Sequence, residues 1–197
     1  MVSGSPRELV LASRSPRRRD LLRSHGFEFR VSPPDVDESA RPGESPEDLA
    51  RRLALEKARA VALREPGEAC VLGSDTLVVI DAEVLGKPRD VEHAVEMLLR
   101  IAGRTHRVVS GYAALVEAGG RVEAGVETSR VTLRGIEPEE ARRYAEGGEP
   151  LDKAGAYALQ GEGGRFVTQV RGSRSNVIGL PMERVVPLLD SLGVRPG

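Results

Sequence analysis

Three consecutive polar side chains, Ser74, Asp75 and Thr76, follow Gly73 in the middle of an apolar run from Val71 to Ile80. Flanks of Val, Leu and Ile too short for a helix read as a strand covered on both faces. A carboxylate buried there is costly unless it has a partner, a metal or access to water. The structural alternative is that Gly73 marks a bulge and Asp75 bonds a neighbouring turn. Other groups suited to phosphate chemistry are spread along the chain. Ser13-Arg14-Ser15-Pro16-Arg17-Arg18-Arg19 falls where a strand should hand over to a helix. Arginines in a first helical turn oppose the macrodipole, whereas helix-start amides and arginine forks both suit phosphate oxygens. A solvated basic face is the bland reading of the same residues. Asp35, Asp37 and Glu38 gather carboxylates in one polar loop, either as solvated side chains or as oxygen ligands for a hard divalent cation. Lys57 sits beside the apolar face of a helix, where a lysine is normally just solvated. Lys87 lies between Gly86 and Pro88, which suits a phosphate contact and equally suits a surface turn.

The elements that must position these groups follow from periodicity and punctuation. Leu9–Ala12 reads as a first strand, and Ser15-Pro16 as the cap and first turn of a helix running towards Gly26. Phe27, Phe29 and Val31 alternate with Glu28 and Arg30 and predict a second strand with one buried face. Ser45-Pro46-Glu47-Asp48 opens a helix carrying Leu49, Leu53, Ala54 and Ala58 to about Leu63. After the central strand come a turn at 81–83, a helix capped by Asp90 and stopped by Gly103, and two long strands over 106–116 and 122–133. Gly119-Gly120 is expected to join these two strands as a hairpin connection. Short helices are predicted at 138–145 and around Leu188 to Leu192. The stretch 152–161 is dense in small residues, so it either packs closely on another element or lets a ligand approach the backbone.

Composition narrows the function classes. The chain has 197 residues, 40% hydrophobic and 30% charged, with 3% aromatics and no Trp. That is ordinary for a globular domain whose core is built from Leu, Val, Ala and Ile. A net charge of -1 supplies no global field for nucleic acid or an anionic membrane. The single Cys70 is expected to be a small core residue. No apolar stretch reaches membrane-spanning length and the N-terminus carries no signal-peptide segment, so a cytoplasmic protein is expected.

In order, Leu11-Ala12-Ser13-Arg14-Ser15-Pro16-Arg17-Arg18, Asp37-Glu38, Glu56-Lys57-Ala58, Gly73-Ser74-Asp75-Thr76, Gly86-Lys87-Pro88 and Asp152-Lys153-Ala154-Gly155 through Gln160-Gly161 resemble the motifs of the Maf nucleotide pyrophosphatases. The resemblance runs from about Leu9 to Leu189. It implies a single α/β domain over 1–197, with a central mixed, twisted sheet flanked by helices and two lobes around a cleft, of the Maf and ITPase-like kind. Residues 1–7 and 194–197 are expected to be tails. It also implies hydrolysis of a nucleoside triphosphate to monophosphate and pyrophosphate with Mg²⁺ or Mn²⁺. Thr76 is similar to the branch acting on dTTP and UTP, where the branch acting on 7-methyl-GTP typically has Gln.

The residues expected to do this are Arg17, Lys57 and Lys87 on the phosphates, with the helix start after Ser13, and Glu38 and Asp75 on the cation. By resemblance, Asp75 is general base for the attacking water, and Arg18 and Gln160 join Thr76 in reading the base. Arg14 departs from the family's usual Ser or Gly. Sequence leaves open whether Asp75 is base or metal ligand first, and whether the chain forms a homodimer. The alternatives are a non-catalytic nucleotide-binding regulator of cell division or septum formation, and a nucleic-acid module using Arg14 to Arg19. The latter lacks interleaved aromatics.

Overall fold

A computed structural model describes residues 7–65, 67–118 and 120–197. Among them the chain forms β1 (Leu9–Ala12), α1 (Pro16–Ser24), β2 (Arg30–Val31), α2 (Pro46–Ala62), β3 (Cys70–Ile80), β4 (Glu83–Leu85), α3 (Val91–Ile101) and β5 (Thr105–Val116). Then follow β6 (Arg121–Leu133), α4 (Pro138–Glu146), three short 3₁₀ turns between Glu149 and Phe166, β7 (Val167–Arg171), α5 (Arg174–Ile178) and α6 (Met182–Ser191). The strands make one seven-stranded sheet in the order β2-β1-β3-β5-β6-β7, with β4 paired to β3. It is mixed, since β1 runs parallel to β2 and β3 while β3–β4 and β6–β7 are antiparallel. This is the α/β architecture that interleaved strands and helices with a long hairpin predict. No helix of the described residues is long and apolar enough to cross a membrane.

Local chemistry explains the element ends. The Ser45 side chain accepts from the Asp48 N–H at 3.1 Å, and Asp90 accepts from the His93 N–H at 2.8 Å, so α2 and α3 start where their caps are. Asp81 and Ala82 take φ of 51° and 65°, the left-handed pair that a two-residue hairpin requires between β3 and β4. Ser15 holds the cap position of α1 without a capping side-chain bond. Its N–H instead donates to Ser13 Oγ at 3.1 Å.

The chain forms two compact units, one of 1–75, 110–127 and 179–197, the other of 76–109 and 128–178. Strands β3, β5 and β6 contribute residues to both. In the first unit, Val10, Ala12, Ala58, Val61, Val71 and Leu115 form an aliphatic core. Helix α2 lies directly on the backbone of two strands there. A Cβ on Gly73 would fall 2.2 Å from the Ala54 carbonyl oxygen, and one on Gly111 would fall 2.0 Å from that of Ala50. Gly73 is therefore a point of close helix–strand approach, and its pairing with Ala12 continues an unbroken register. The bulge considered for it does not occur. In the second unit, α3 and α4 cover a core that includes Leu98, Ile101, Leu133, Tyr144 and Phe166.

Several expectations are corrected. The predicted second strand shrinks to Arg30–Val31, both exposed, although Phe27 is buried. The chain needs only two residues to pair with Val10 and Leu11 at the sheet edge. Strand β7 and helix α5 were not legible, because Val167–Arg171 buries no residue fully and α5 is five residues long. Of the 152–161 stretch, Gly155 takes φ +70° with Val78 Cγ1 2.8 Å from where its Cβ would be, so this segment packs on β3. The expected tail at 194–197 is held: Val194 is buried, and the Gly197 N–H donates to the Gly26 carbonyl at 3.0 Å. Residues 1–6 of the other expected tail, and Gly119 of the expected hairpin connection, lie outside the described residues. Arg7, the last of that tail, donates its N–H to the Gly193 carbonyl at 3.0 Å.

Candidate active site

Helix α2 buries Leu53, Ala54, Ala58 and Val61, and with them the side chain of Lys57. The lysine retains 6% of its surface and Asp75, on β3, retains 7%. The apolar stripe of the helix thus aims a cation at the strand that carries the carboxylate. Lys57 Nζ lies 2.6 Å from Asp75 Oδ1 and 2.6 Å from Glu38 Oε1. The partner that Asp75 requires is therefore an ammonium, and one nitrogen holds two carboxylates within twice that distance of each other. Glu38 reaches the ammonium from the loop before α2 with 62% of its side chain exposed. The charge cluster is buried on one side and open to water on the other.

Arg18 ties the start of α1 to this cluster. Its Nε–H donates to the Gly179 carbonyl at 2.8 Å, and Nη1 donates to the Ser74 carbonyl at 2.8 Å and to Ser13 Oγ at 3.1 Å. Burial pushes the guanidinium below its ordinary value, while the nearby Asp75 and Glu38 charges pull it back up. Ser74 turns away from the charges, donating Oγ–H to the Gly111 carbonyl at 2.9 Å. Arg17 neighbours Arg18 closely enough to oppose its charge. Ser13, Arg18, Glu38, Lys57 and Asp75 are thus brought together within the first unit, with Arg17 next to Arg18.

The donor set suits one kind of metal. Among the described residues, no group of three or more His, Cys, Asp or Glu converges as a cage. Two carboxylates with an open side fit a hard cation such as Mg²⁺, which keeps its waters and binds through one or two carboxylates plus substrate phosphates. Cys70 is no candidate for this chemistry, since burial pushes its thiol up to about 12.

Thr76, Lys87 and Gln160 belong to the second unit. Thr76 is half-buried on β3, and Lys87 and Gln160 are exposed. The segment around Gln160 is organised by Glu149, whose carboxylate accepts from Tyr144 Oη–H at 2.8 Å and from the N–H groups of Glu162 and Gly163 at 3.0 and 3.1 Å. Sequence reasoning passed over Glu149, for which only its place before Pro150 could have hinted at a turn. It also passed over Arg52 and Glu44, which surround the Glu38 loop. Arg52 and Glu56 stand at the helical i,i+4 spacing, which was a readable signal.

Residues 8–192 match the family model described as Maf-like protein. The chain is 53% identical over 186 residues to a dTTP/UTP pyrophosphatase of Myxococcus xanthus, covering 94% of this chain and 93% of the relative. It is 48% identical over 186 residues to a dTTP/UTP pyrophosphatase of Symbiobacterium thermophilum, covering 94% of each. A solved nucleoside-triphosphatase / dITP/XTP pyrophosphatase from Mycobacterium abscessus is 20% identical with a TM-score of 0.46, over 96% of this chain and 100% of that one. A family match across nearly the whole length, together with relatives near half identity, shows that this chain belongs to the Maf family.

Proposed function

We propose that this chain hydrolyses dTTP and UTP to the nucleoside monophosphate and pyrophosphate, as the names of its relatives state for them. The observation that carries the reading is Lys57 held between Asp75 and Glu38, acid and base side chains that lie far apart in sequence. Breaking a phosphoanhydride requires neutralising the departing pyrophosphate, holding the phosphorus and orienting a water for in-line attack. Arg17, Lys57 and Lys87 are the cations for the phosphates, with amides of the helix start after Ser13 as further donors. Asp75 takes the proton of the attacking water, its carboxylate fixed in orientation by Lys57. Glu38 and Asp75 would hold Mg²⁺ or Mn²⁺, which when bound neutralises triphosphate charge. Arg18, Thr76 and Gln160 discriminate the base, since a mismatched base covers them and leaves their donors or acceptors unpaired. The bonds of Arg18 to Ser13, Ser74 and Gly179 support a holding role for it as well.

A non-catalytic nucleotide-binding regulator of cell division would not need the two carboxylates on Lys57, and nothing among the described residues favours that reading. Pyrophosphate release measured over dTTP, UTP, CTP, 7-methyl-GTP and ITP, with and without Mg²⁺ or Mn²⁺, tests the proposal. We expect dTTP and UTP to lead and the divalent cation to be required. A preference for 7-methyl-GTP or ITP, or no hydrolysis of any of the five, contradicts it.

A further inference from the structure

Glu38 sits in a stretch from Ser32 to Glu44 without helix or strand, longer than most connections in compact domains. With 62% of its side chain exposed, packing does not hold it where it meets Lys57. The loop is held by something else. Arg52, one turn and a half before Lys57 on α2, spends its guanidinium on this stretch and on its own helix. Its Nη2 donates to the Ser39 carbonyl at 3.0 Å, gripping the residue next to Glu38. Its Nε–H and Nη2 fork onto the Glu44 carboxylate at 2.6 and 2.8 Å, and Nη1 donates to Glu56 at 2.9 Å. Glu44 in turn accepts the Arg41 N–H at 3.0 Å, and the Ser39 N–H donates to Asp37 Oδ1 at 2.9 Å. The cluster is well shielded, with 14% of the Arg52 side chain and 10% of that of Glu44 exposed. Its Arg52 bonds hold the Glu44 carboxyl far below the usual range, at about 2. The second half of the loop before α2, at Ser39 and Glu44, is therefore tied to the helix that carries Lys57.

We propose that Arg52 is a positioning residue for Glu38: by clamping Ser39 and Glu44 to α2, it holds the Glu38 carboxylate in register with Lys57 and Asp75. This rests on the functional reading of Glu38 given above. A guanidinium can serve three acceptors in fixed directions and an ammonium cannot, so Arg52→Lys is a mild perturbation and Arg52→Gln a stronger one.

The test is a double-mutant cycle on the full chain, reading dTTP turnover and amide hydrogen exchange over residues 36–44. Arg52→Gln should speed exchange in that loop and lower kcat by about tenfold, and Arg52→Lys should do less of both; a coupling of this size is common for residues in one network. In a Glu38→Gln background, Arg52→Gln should lower kcat no further, because the carboxylate it positions is gone. An equal loss in both backgrounds, or wild-type exchange in Arg52→Gln, overturns the proposal. Should Arg52→Gln fail to fold, the same two readouts on Arg52→Lys decide it. Full turnover by Glu38→Gln alone would instead remove Glu38 from the functional reading, and a loop loosened by Arg52→Gln without loss of turnover would overturn Arg52 as a positioning residue.

Discussion

In the first unit the buried polar side chains include an ion pair, Lys57 with Asp75. The second unit buries His106, Ser129, Ser175 and Asn176, none of them charged at neutral pH. The second uses these groups to knit its own backbone. Asn176 Nδ2 donates to the Val108 carbonyl and to Ser129 Oγ, both at 3.0 Å, and His106 Nε2 lies 2.8 Å from Tyr157 Oη. Its core also has Tyr144 edge-on to Phe166, with centroids 5.2 Å apart. Such neutral hydrogen bonds carry a modest desolvation cost, even though His106 Nδ1 is buried without a hydrogen-bond partner. A buried ion pair does not: well-packed apolar residues in its place are often as stable or more so. Stability alone therefore explains the second arrangement and leaves the first unexplained. The proposed phosphoanhydride hydrolysis would account for the charges in the first unit.

The contrast can be broken from either side. Lys57→Met strands the Asp75 carboxylate without its ammonium and should cost about 3–5 kcal/mol in denaturant unfolding. Adding Asp75→Asn to it should restore most of that loss, while activity stays absent. If Lys57→Met unfolds like the wild type, Asp75 is hydrated and the buried pair is not what distinguishes this unit.

The second unit should respond to pH instead. Burial pushes His106 down to about 4, below its ordinary 6.5, so the unfolded chain takes up that proton first as pH falls. Its contribution is fully present above about 6.5 and is lost by about pH 4, amounting to roughly 3 kcal/mol. Comparing unfolding at pH 7.5 and 4.5 for the wild type and a His106→Leu/Tyr157→Phe double variant isolates it. The variant should show the smaller drop, and equal drops would mean that His106 is solvated in the folded protein.

Much of this is readable in the sequence. The helix starts at Ser45 and Asp90 were legible because capping is a local event encoded in three or four residues. The apolar run around Asp75 was legible because a carboxylate flanked by Val, Leu and Ile breaks a pattern. Lys57 was harder. A helical lysine is ordinarily solvated, and only the close approach permitted by Gly73 and Gly111 draws α2 down far enough to bury it. For Arg52 only the pairing with Glu56 at i,i+4 was readable, and it looks like any surface pair; Ser39 and Glu44 become its neighbours only once the loop folds back. β2 was over-read because alternation of Phe27, Phe29 and Val31 fits a strand even where just two residues find a partner. Non-local packing determined what each group touches.

The proposed hydrolysis depends on the carboxylate of Asp75. Pyrophosphate release from dTTP by purified Asp75→Asn, with circular dichroism to establish that it is folded, tests it most directly. Loss of charge and basicity at unchanged size should lower turnover by about a hundredfold or more. A folded Asp75→Asn enzyme that turns over dTTP at the wild-type rate would contradict the assignment.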